Sequence, residues 1–460
     1  MTAPAIGRTV RRLRLDANLT QAALAQTLGI SASYLNLMEH DQRAITASLL
    51  LKLAAALGVE LAQLSGHAER QAEVLLREAL ADPHLGQEAV PEAEIAALAA
   101  TPRASAAVLA LYRAWRIARE DASGIALPSG RRLLLPQEEA RDVFAEHGNH
   151  FPLLEEAAEG IGHDLAASPA EMNHAIAERL RRRHGLAITV GPLPGALRRY
   201  DPLRRALDLS ETLARESRGF HLAVQLALLE AHAALDATMA PLEPSTPEAA
   251  GLIRLGLVNY LAAAILMPYP AYRAAAAELR HDIDALAARF GVSFEQAAQR
   301  LASLQRPGAR GIPFFFLRTD PAGNTSKRFS AAGFPFARYG GSCPRWVVHA
   351  ALGTPGRIAV QVAALPDGAT FLCVARAIVR PGPWGEPPPV HIVAVGCDAA
   401  HAGAVVYADG IDLPRATVGI GLSCRLCDRA DCRSRAFAPL AHRLALDPNT
   451  AGASPYRFTR

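Results

Sequence analysis

The chain has 460 residues, a length that suggests about two to four domains. Half of the residues are hydrophobic and a fifth are charged, enough apolar surface for sizeable cores, which excludes global disorder. The formal net charge of +4 and the sequence pI near 8.8 permit a nucleic-acid partner without demanding one. The longest apolar candidate, LVNYLAAAILMPYP, is shorter than the roughly 18 to 20 residues of a membrane-spanning helix and contains Asn259 and two prolines. The N-terminal MTAPAIGRTVRRLRLDANLT has no apolar stretch between its charges and a cleavage site, so it does not read as a signal peptide. A cytoplasmic protein with no membrane partner is expected.

Residues 1–66 form a compact helical pattern, and TQAALAQTLGISASYLNLMEHDQRAIT (20–46) predicts two helices joined by a tight turn. Thr20 and Ser31 suit the caps of the two helices, because a hydroxyl accepts an orphan backbone N–H. Gly29 suits a left-handed turn, and Ala25 is small where the helices cross. Leu24, Leu28, Ile30, Leu35 and Met38 form the buried side. That leaves Ser31, Ala32, Ser33, Tyr34 and Asn36 at the start of the second helix, where such a motif enters the major groove. Asn reads adenine and Ser reads either base type. Gln21 is placed to meet a phosphate or base, while Arg43 and the Arg11, Arg12 and Arg14 cluster suit backbone contacts. The whole pattern resembles the phage-repressor-like helix-turn-helix family, which implies a double-stranded DNA operator as partner. A small helical bundle is the plain alternative.

Residues 67–121 are a helical connector and a candidate dimerisation element, with apolar positions at helical spacing in AEVLLREALA and ASAAVLALYRAWRIARE. ASGIALPSGRR (122–132) reads as a linker into a mostly helical region that runs to residue 300. There, FHLAVQLALLE (220–230) precedes NYLAAAILMPYP (259–270) in the layout of a zinc peptidase. A zincin needs two imidazoles four residues apart on one helix face, with a glutamate as general base. Against the ImmA/IrrE-like metallopeptidase pattern, the ligand positions hold Val224 and Leu228 and the base position holds Gln225. His221 does not rescue the site, since four residues on stands Gln225, and GLIRLGLVNYLAAAIL (251–266) carries no carboxylate. No catalytic residue and no enzyme activity are expected. An apolar floor in a preserved cleft suits a short acyl chain, although an apolar stripe at helical spacing is ordinarily core.

Near residue 305 the character changes. IPFFFL, RWVVHAAL, RIAVQVAAL, TFLCVARAIV, HIVAVGC and AVVYA are β-like runs, and LPDG and YADG mark turns. The expected fold is mainly α over the first two-thirds, a helix-turn-helix bundle and then a helical degenerate zincin-like region. An α+β domain with an antiparallel sheet follows over 301–460. All six cysteines lie beyond residue 340. Cys424, Cys427 and Cys432 form a C-x2-C-x4-C array, one short of a four-thiolate site. Cys397 is the first candidate for a fourth ligand, followed by His401 and Cys343, while Cys373 suits the core. Arg425, Arg429, Arg433 and Arg435 would offset thiolate charge. Spacing does not separate zinc from an iron–sulfur cluster, and three reduced thiols around a turn remain the plain alternative.

The stretch from FGVSFEQAAQRLASLQRPGARGIPFFFL onward, with NYLAAAILMPY, GGSCPRWVVHAA and IGLSCRLCDRADCRSRAFAPL, resembles the short-chain fatty acyl-CoA regulator family over nearly all of residues 5–458. The resemblance implies a transcription factor that senses acetyl-, propionyl- or a related acyl-CoA; a homodimer is expected, whose two helix-turn-helix domains would read half-sites about one helical turn apart or a multiple of it. Its expected targets are genes of glyoxylate or methylcitrate type, and a degenerate HExxH is normal for it. It also implies a [4Fe-4S] cluster on the cysteines. Coenzyme A needs cations for its phosphates, for which Arg198, Arg199, Arg318, Lys327 and Arg328 are candidates; Tyr260 and Tyr269 are candidates for the acyl end. A redox-sensing transcription factor without acyl-CoA input is the alternative.

Overall fold

The computed structural model describes residues 6–122, 136–336, 342–380 and 384–458, apart from 18, 41, 44, 60–63, 65, 66, 83, 84, 86–89, 440, 441, 448, 451 and 455. The linker expected at 122–132 lies almost wholly outside the described residues.

The N-terminal unit comprises α1 (Gly7–Asp16), α2 (Gln21–Leu28), α3 (Ala32–Glu39) and α4 (Ala47–Leu57). Its local chemistry follows the sequence. Thr20 Oγ1 accepts the Ala23 N–H and Ser31 Oγ accepts the Tyr34 N–H, each at 3.1 Å. Gly29 ends α2 at φ +70°, in the left-handed region that costs glycine least. Val10, Leu24, Leu28, Leu35, Met38 and Leu53 close the core, with Ile30 packed at its edge. The connector helices His67–Leu80, Glu92–Ala99 and Pro102–Ala122 share a separate small core around Leu76, Ile95, Leu109 and Tyr112.

The central body is mainly helical. Its hub is the Pro247–Leu266 helix, capped by Thr246 and packed against the Pro152–Leu165 and Arg215–Glu230 helices. It starts well upstream of the apolar run noted in the sequence, so it does reach the length and apolarity of a membrane span. Ile253, Leu257, Leu261 and Ile265 are buried in the core, whereas Leu252 and Leu255 near its start are exposed. A helix that is apolar all round is a core helix or a span, and composition alone does not distinguish the two. Beneath the hub, Glu155 and Arg300, each about 1 % exposed, pair at 2.7 and 2.9 Å, and the Tyr260 hydroxyl donates to Glu155.

The body also holds a small sheet that the helical reading missed. It contains β1 (Ala187–Gly191), β2 (Arg198–Asp201) and β3 (Ala206–Ser210) in the order β1-β3-β2, with β1 parallel and β2 antiparallel to β3. These strands are short and partly solvated, so they lack the long apolar runs that announce a buried strand.

The C-terminal sheet has the order β5-β4-β8-β7-β6-β9. Its strands are β4 (Phe314–Thr319), β5 (Thr325–Ser330), β6 (Ile358–Ala364), β7 (Thr370–Val379), β8 (Val390–Asp398) and β9 (Thr417–Gly419). All pairs are antiparallel except β6 with β9. Phe314, Phe316, Val374 and Val395 face the helical body, while Phe315, Leu317, Cys373 and Ala394 face the opposite way, under Phe334 and Trp346. Burial on both faces makes β7 and β8 near-continuous apolar runs, which is why they were legible. RWVVHAAL is not a strand. It forms the Val347–Ala350 helix and a 3-10 turn that cover the sheet, and AVVYA likewise holds a 3-10 turn. A short apolar run suits either state, and here covering the sheet face decides it.

Candidate DNA-reading helix and effector sites

Along α3, Ser31, Ala32, Ser33 and Asn36 are exposed, whereas Tyr34 is half-buried against the core. Gln21 Nε2 donates to Asn36 Oδ1 at 3.1 Å and to Glu39 Oε2 at 2.8 Å. Gln21 therefore occupies one lone pair of Asn36 Oδ1, and a bidentate contact to an adenine edge would use the other lone pair and the NH2 group. Arg43 is exposed just beyond α3, and Arg11 is exposed on α1. Arg14, expected at the DNA backbone, is instead 6 % exposed and pairs with the buried Glu39, Nε to Oε1 at 2.6 Å. Burial raises the Glu39 carboxyl, but the hydrogen bonds from Arg14 and Gln21 outweigh it and hold the group below the usual range. A cation committed to a buried carboxylate is lost to DNA, and it stiffens the reading helix instead.

On the Arg215–Glu230 helix, Val224 and Gln225 are buried and Leu228 is 36 % exposed. None of the three supplies a zinc ligand or a general base. Gln225 Oε1 accepts from Arg198 Nη1 at 2.5 Å. Burial pushes the half-buried Arg198 down from its ordinary value, and His221 is lowered by burial and by the charges of Arg198 and Arg380. A guanidinium thus bonds the residue at the general-base position of the degenerate motif.

A large opening lies elsewhere on this helix. A cleft of about 1010 Å³ separates Asn173, Arg215 and Arg218 of the body from Phe294 and from Arg376 and Ile378 of β7. Arg218 is held by the carbonyls of Leu213 and Glu211, and Arg376 pairs with Asp284 at 2.6 Å while lying over the Phe294 ring. Asn173 donates to the Gly291 carbonyl at 3.2 Å, and its Oδ1 is buried against Gly219 with no partner among the described residues. Gly219 is obligatory there, because a Cβ would stand 2.1 Å from that oxygen.

The candidate cations and tyrosines are not in this wall. Arg198 and Arg199 alternate along β2, so Arg198 turns to Gln225 and Arg199 is exposed. Arg318 and Lys327 are cross-strand neighbours and share Glu295, at 3.4 and 3.6 Å. Arg328 sits opposite Leu317, on the other face of the sheet. Tyr260 and Tyr269 are core residues: the first bonds Glu155, and the second donates to the Ala309 carbonyl and accepts the Arg306 N–H. Sequence reasoning missed Asn173, Arg215, Arg218 and Arg376. The only available signal was the cluster of arginines in ARESRGF, immediately before the degenerate motif.

Among the cysteines, Cys427 and Cys432 are buried and Cys424 is half-buried. Cys343 joins them. Burial raises its thiol, N–H donors from Gly421 and Arg345 lower it, and the nearby Cys424 and Cys427 raise it further. Cys397, the first candidate for a fourth ligand, is instead fully buried on the helix-facing side of the sheet, opposite Leu372. Ile420 and Leu422, which lead into the cysteine loop, pack on the other side. His401 is exposed and lies near His281. Gly421 permits the close approach of the loop, since a Cβ would meet Cys427 Sγ at 2.8 Å.

As the side chains stand, no three His, Cys, Asp or Glu among the described residues are close enough together to hold a metal ion. The donor types nevertheless fit a thiolate-held group. Cys424 Sγ accepts the Ala436 N–H at 3.3 Å. Arg435, only 4 % exposed, clamps the loop through the carbonyls of Cys424, Cys427, Arg429 and Phe437. Its Nε is buried with no partner among the described residues, so the loop contains a buried cation and an unused donor, both suited to thiolate charge.

A repressor-type reading helix joined to a peptidase-like body whose catalytic positions hold Val224, Gln225 and Leu228 defines a DNA-binding transcriptional regulator. The chain matches the helix-turn-helix model over residues 10–64, the IrrE N-terminal-like domain over 181–302, and the C-terminal domain of the short-chain fatty acyl coenzyme A regulators over 303–456. It is 39 % identical to the propionyl-CoA carboxylase regulator of Cereibacter sphaeroides, across 98 % of both chains. It is 37 % identical to the transcriptional regulator RamB of Mycobacterium tuberculosis, across 98 % of both. It is 39 % identical to PrpR of the same organism, across 98 % of this chain and 96 % of the relative. A solved Mycobacterium tuberculosis transcriptional regulator superposes with a TM-score of 0.67 at 41 % identity, covering 70 % of this chain and 99 % of that one. The chain belongs to the short-chain fatty acyl coenzyme A regulator family.

Proposed function

We propose that this protein is a homodimeric, cytoplasmic transcription factor that binds an operator through α3 and responds to a short-chain acyl-CoA held between its central body and its C-terminal sheet. The observation that carries the reading is the cleft of about 1010 Å³ between those two parts, with Arg215, Arg218 and Arg376 in its walls. Its size is at the upper end for small-molecule sites, and its arginines suit a phosphate-bearing ligand. The target genes are those of short-chain fatty acid use, in keeping with the names of its relatives. Peptide hydrolysis has no part in this reading, since Gln225 has no basic atom for a proton and Val224 and Leu228 have no donor for zinc. A ligand that closes the cleft changes DNA affinity only if it binds one arrangement of the two parts better than the other. Cys343, Cys424, Cys427 and Cys432 are the thiols that would hold a [4Fe-4S] cluster or zinc, tying the C-terminal loop together and, as a cluster, adding redox input.

The test is fluorescence anisotropy of upstream operator DNA titrated with protein purified without oxygen, in the presence of propionyl-CoA, free CoA or neither. The reading expects the thioester alone to shift the titration midpoint. DNA binding with no response to any thioester would overturn the acyl-CoA input and favour the redox-sensing alternative.

A further inference from the structure

One carboxylate in the interface is outnumbered. Glu295 opens the Phe294–Ala302 helix of the body and faces Arg318 of β4, Lys327 of β5, His391 of β8 and Arg380 just after β7. The contacts are loose. His391 Nε2 is 3.1 Å from Glu295 Oε2, and the three full cations stand at 3.4, 3.6 and 3.6 Å. A fitted cation–carboxylate bond measures about 2.7 to 2.9 Å. The same protein reaches 2.7 Å at Arg300–Glu155 and 2.6 Å at Arg179–Glu230. The cradle is therefore too wide for the one carboxylate it contains.

Two further facts point the same way. Arg318 Nε is buried with no partner among the described residues, so the cradle holds an unused donor there. Three cations against one carboxylate leave excess positive charge, and the field extends through Arg380 towards His221 and Arg198 at the degenerate motif. The cradle is also reachable: the side chains of Arg380 and Lys327 are 52 % and 43 % exposed. Glu295 follows Phe294 and Arg380 follows Val379, and both Phe294 and Val379 line the large cleft. A tetrahedral phosphate is broader than a carboxylate and offers more acceptor oxygens for the guanidinium donors and for the Lys327 ammonium, which here also donates to Gln299 Oε1 at 3.2 Å.

We propose that Arg318, Lys327 and Arg380 form a phosphate-binding cradle beside the cleft, in which Glu295 is a resident anion that the phosphate of an incoming ligand displaces. The proposal rests on the acyl-CoA reading for the ligand's identity and assigns the cradle to its phosphate end. It adds a consequence. Glu295 belongs to the body and the cations belong to the sheet, so displacing it trades a contact between the two parts for contacts with ligand.

The test measures binding of pyrophosphate, CoA and dephospho-CoA to the full chain by calorimetry, for the native protein and for Lys327→Gln and Glu295→Gln. Lys327→Gln should weaken pyrophosphate by about tenfold or more, and Glu295→Gln should tighten it by removing the competing anion. A double variant, Glu295→Gln with Arg318→Gln, removes one charge of each sign and guards against misfolding caused by an unpaired buried group. It should bind more weakly than Glu295→Gln alone. Native-like pyrophosphate affinity in Lys327→Gln and in the double variant, with normal circular dichroism, would overturn the cradle. Weaker binding of dephospho-CoA than of CoA would place the 3′-phosphate there, and equal binding would place the diphosphate. If the thioester shifts DNA binding while these variants bind as the native chain does, the cradle fails and the sensor survives. If pyrophosphate follows the cradle while no thioester shifts DNA binding, the reverse holds.

Discussion

Replacing Glu155 by glutamine should destabilise the central body far more than its small change in volume suggests. Glu155 accepts two hydrogen bonds from Arg300 and one from Tyr260, and both members of the ion pair are about 1 % exposed. The Glu155→Gln side chain would retain one acceptor and turn an NH2 group towards Arg300 Nη2, leaving a buried guanidinium without its counter-charge. Breaking such a pair from one side costs about 3–5 kcal/mol, against a total of about 5–15 kcal/mol for a typical domain. Urea unfolding of the full chain at neutral pH, followed by far-UV circular dichroism, reads this as a lower midpoint for the central transition with its slope unchanged. Glu159→Gln is the control. That carboxylate pairs with Arg306 at 2.5 Å, but the partners are 35 % and 29 % exposed, and such pairs contribute about 0–1 kcal/mol. The pH dependence has a definite sign. Burial alone would raise the Glu155 carboxyl, but the charge and hydrogen bonds of Arg300 outweigh it and hold it below the usual range. Its stabilisation is therefore complete above the ordinary carboxyl range and is lost as pH falls through the lowered value. The gap between native protein and variant should narrow in acid. A loss of less than about 1 kcal/mol at neutral pH, or a gap that widens in acid, would refute the reasoning.

Asn36→Ala should weaken operator binding by about 1–3 kcal/mol and relax the preference at one base pair, while effector binding stays unchanged; a native footprint would remove Asn36 from the reading surface. Glu295 is pushed down to about 2, since its hydrogen bond with His391 and the charges of Lys327 and Arg318 outweigh the burial that raises it. Its contribution is thus present above an ordinary carboxyl pKa of about 4.3 and fades as pH falls towards 2, so limited proteolysis between body and sheet should speed up over that interval in the native protein and not in Glu295→Gln. Cys343→Ser should lower metal or iron content in anaerobically purified protein, whereas Cys397→Ser should leave it unchanged; the opposite pattern would return Cys397 to the ligand set.

What was legible in the sequence was local. The caps Thr20 and Ser31, the left-handed Gly29 and the apolar spacing of α2 and α3 act within a few residues of themselves, so their patterns survive in one dimension. The same holds for β7 and β8, whose burial on both faces writes an unbroken apolar run. The departure from the peptidase motif was equally plain, since it depends on which residues stand at 224, 225 and 228.

Tertiary structure decided the partners. Arg14, Arg198 and Arg318 look alike in the sequence, but one is sealed against Glu39, one bonds Gln225 and one belongs to a loose ring around Glu295. Cys343 and Cys397 are both cysteines distant in sequence from the C-x2-C-x4-C array, and only the face of the sheet on which each lies separates them. The cleft is made by segments far apart along the chain, from Asn173 to Val379, and so has no contiguous signature. Side-chain identity and periodicity are properties of the chain, whereas the pairing of charges and the enclosure of space depend on long-range packing, which no short stretch of sequence contains.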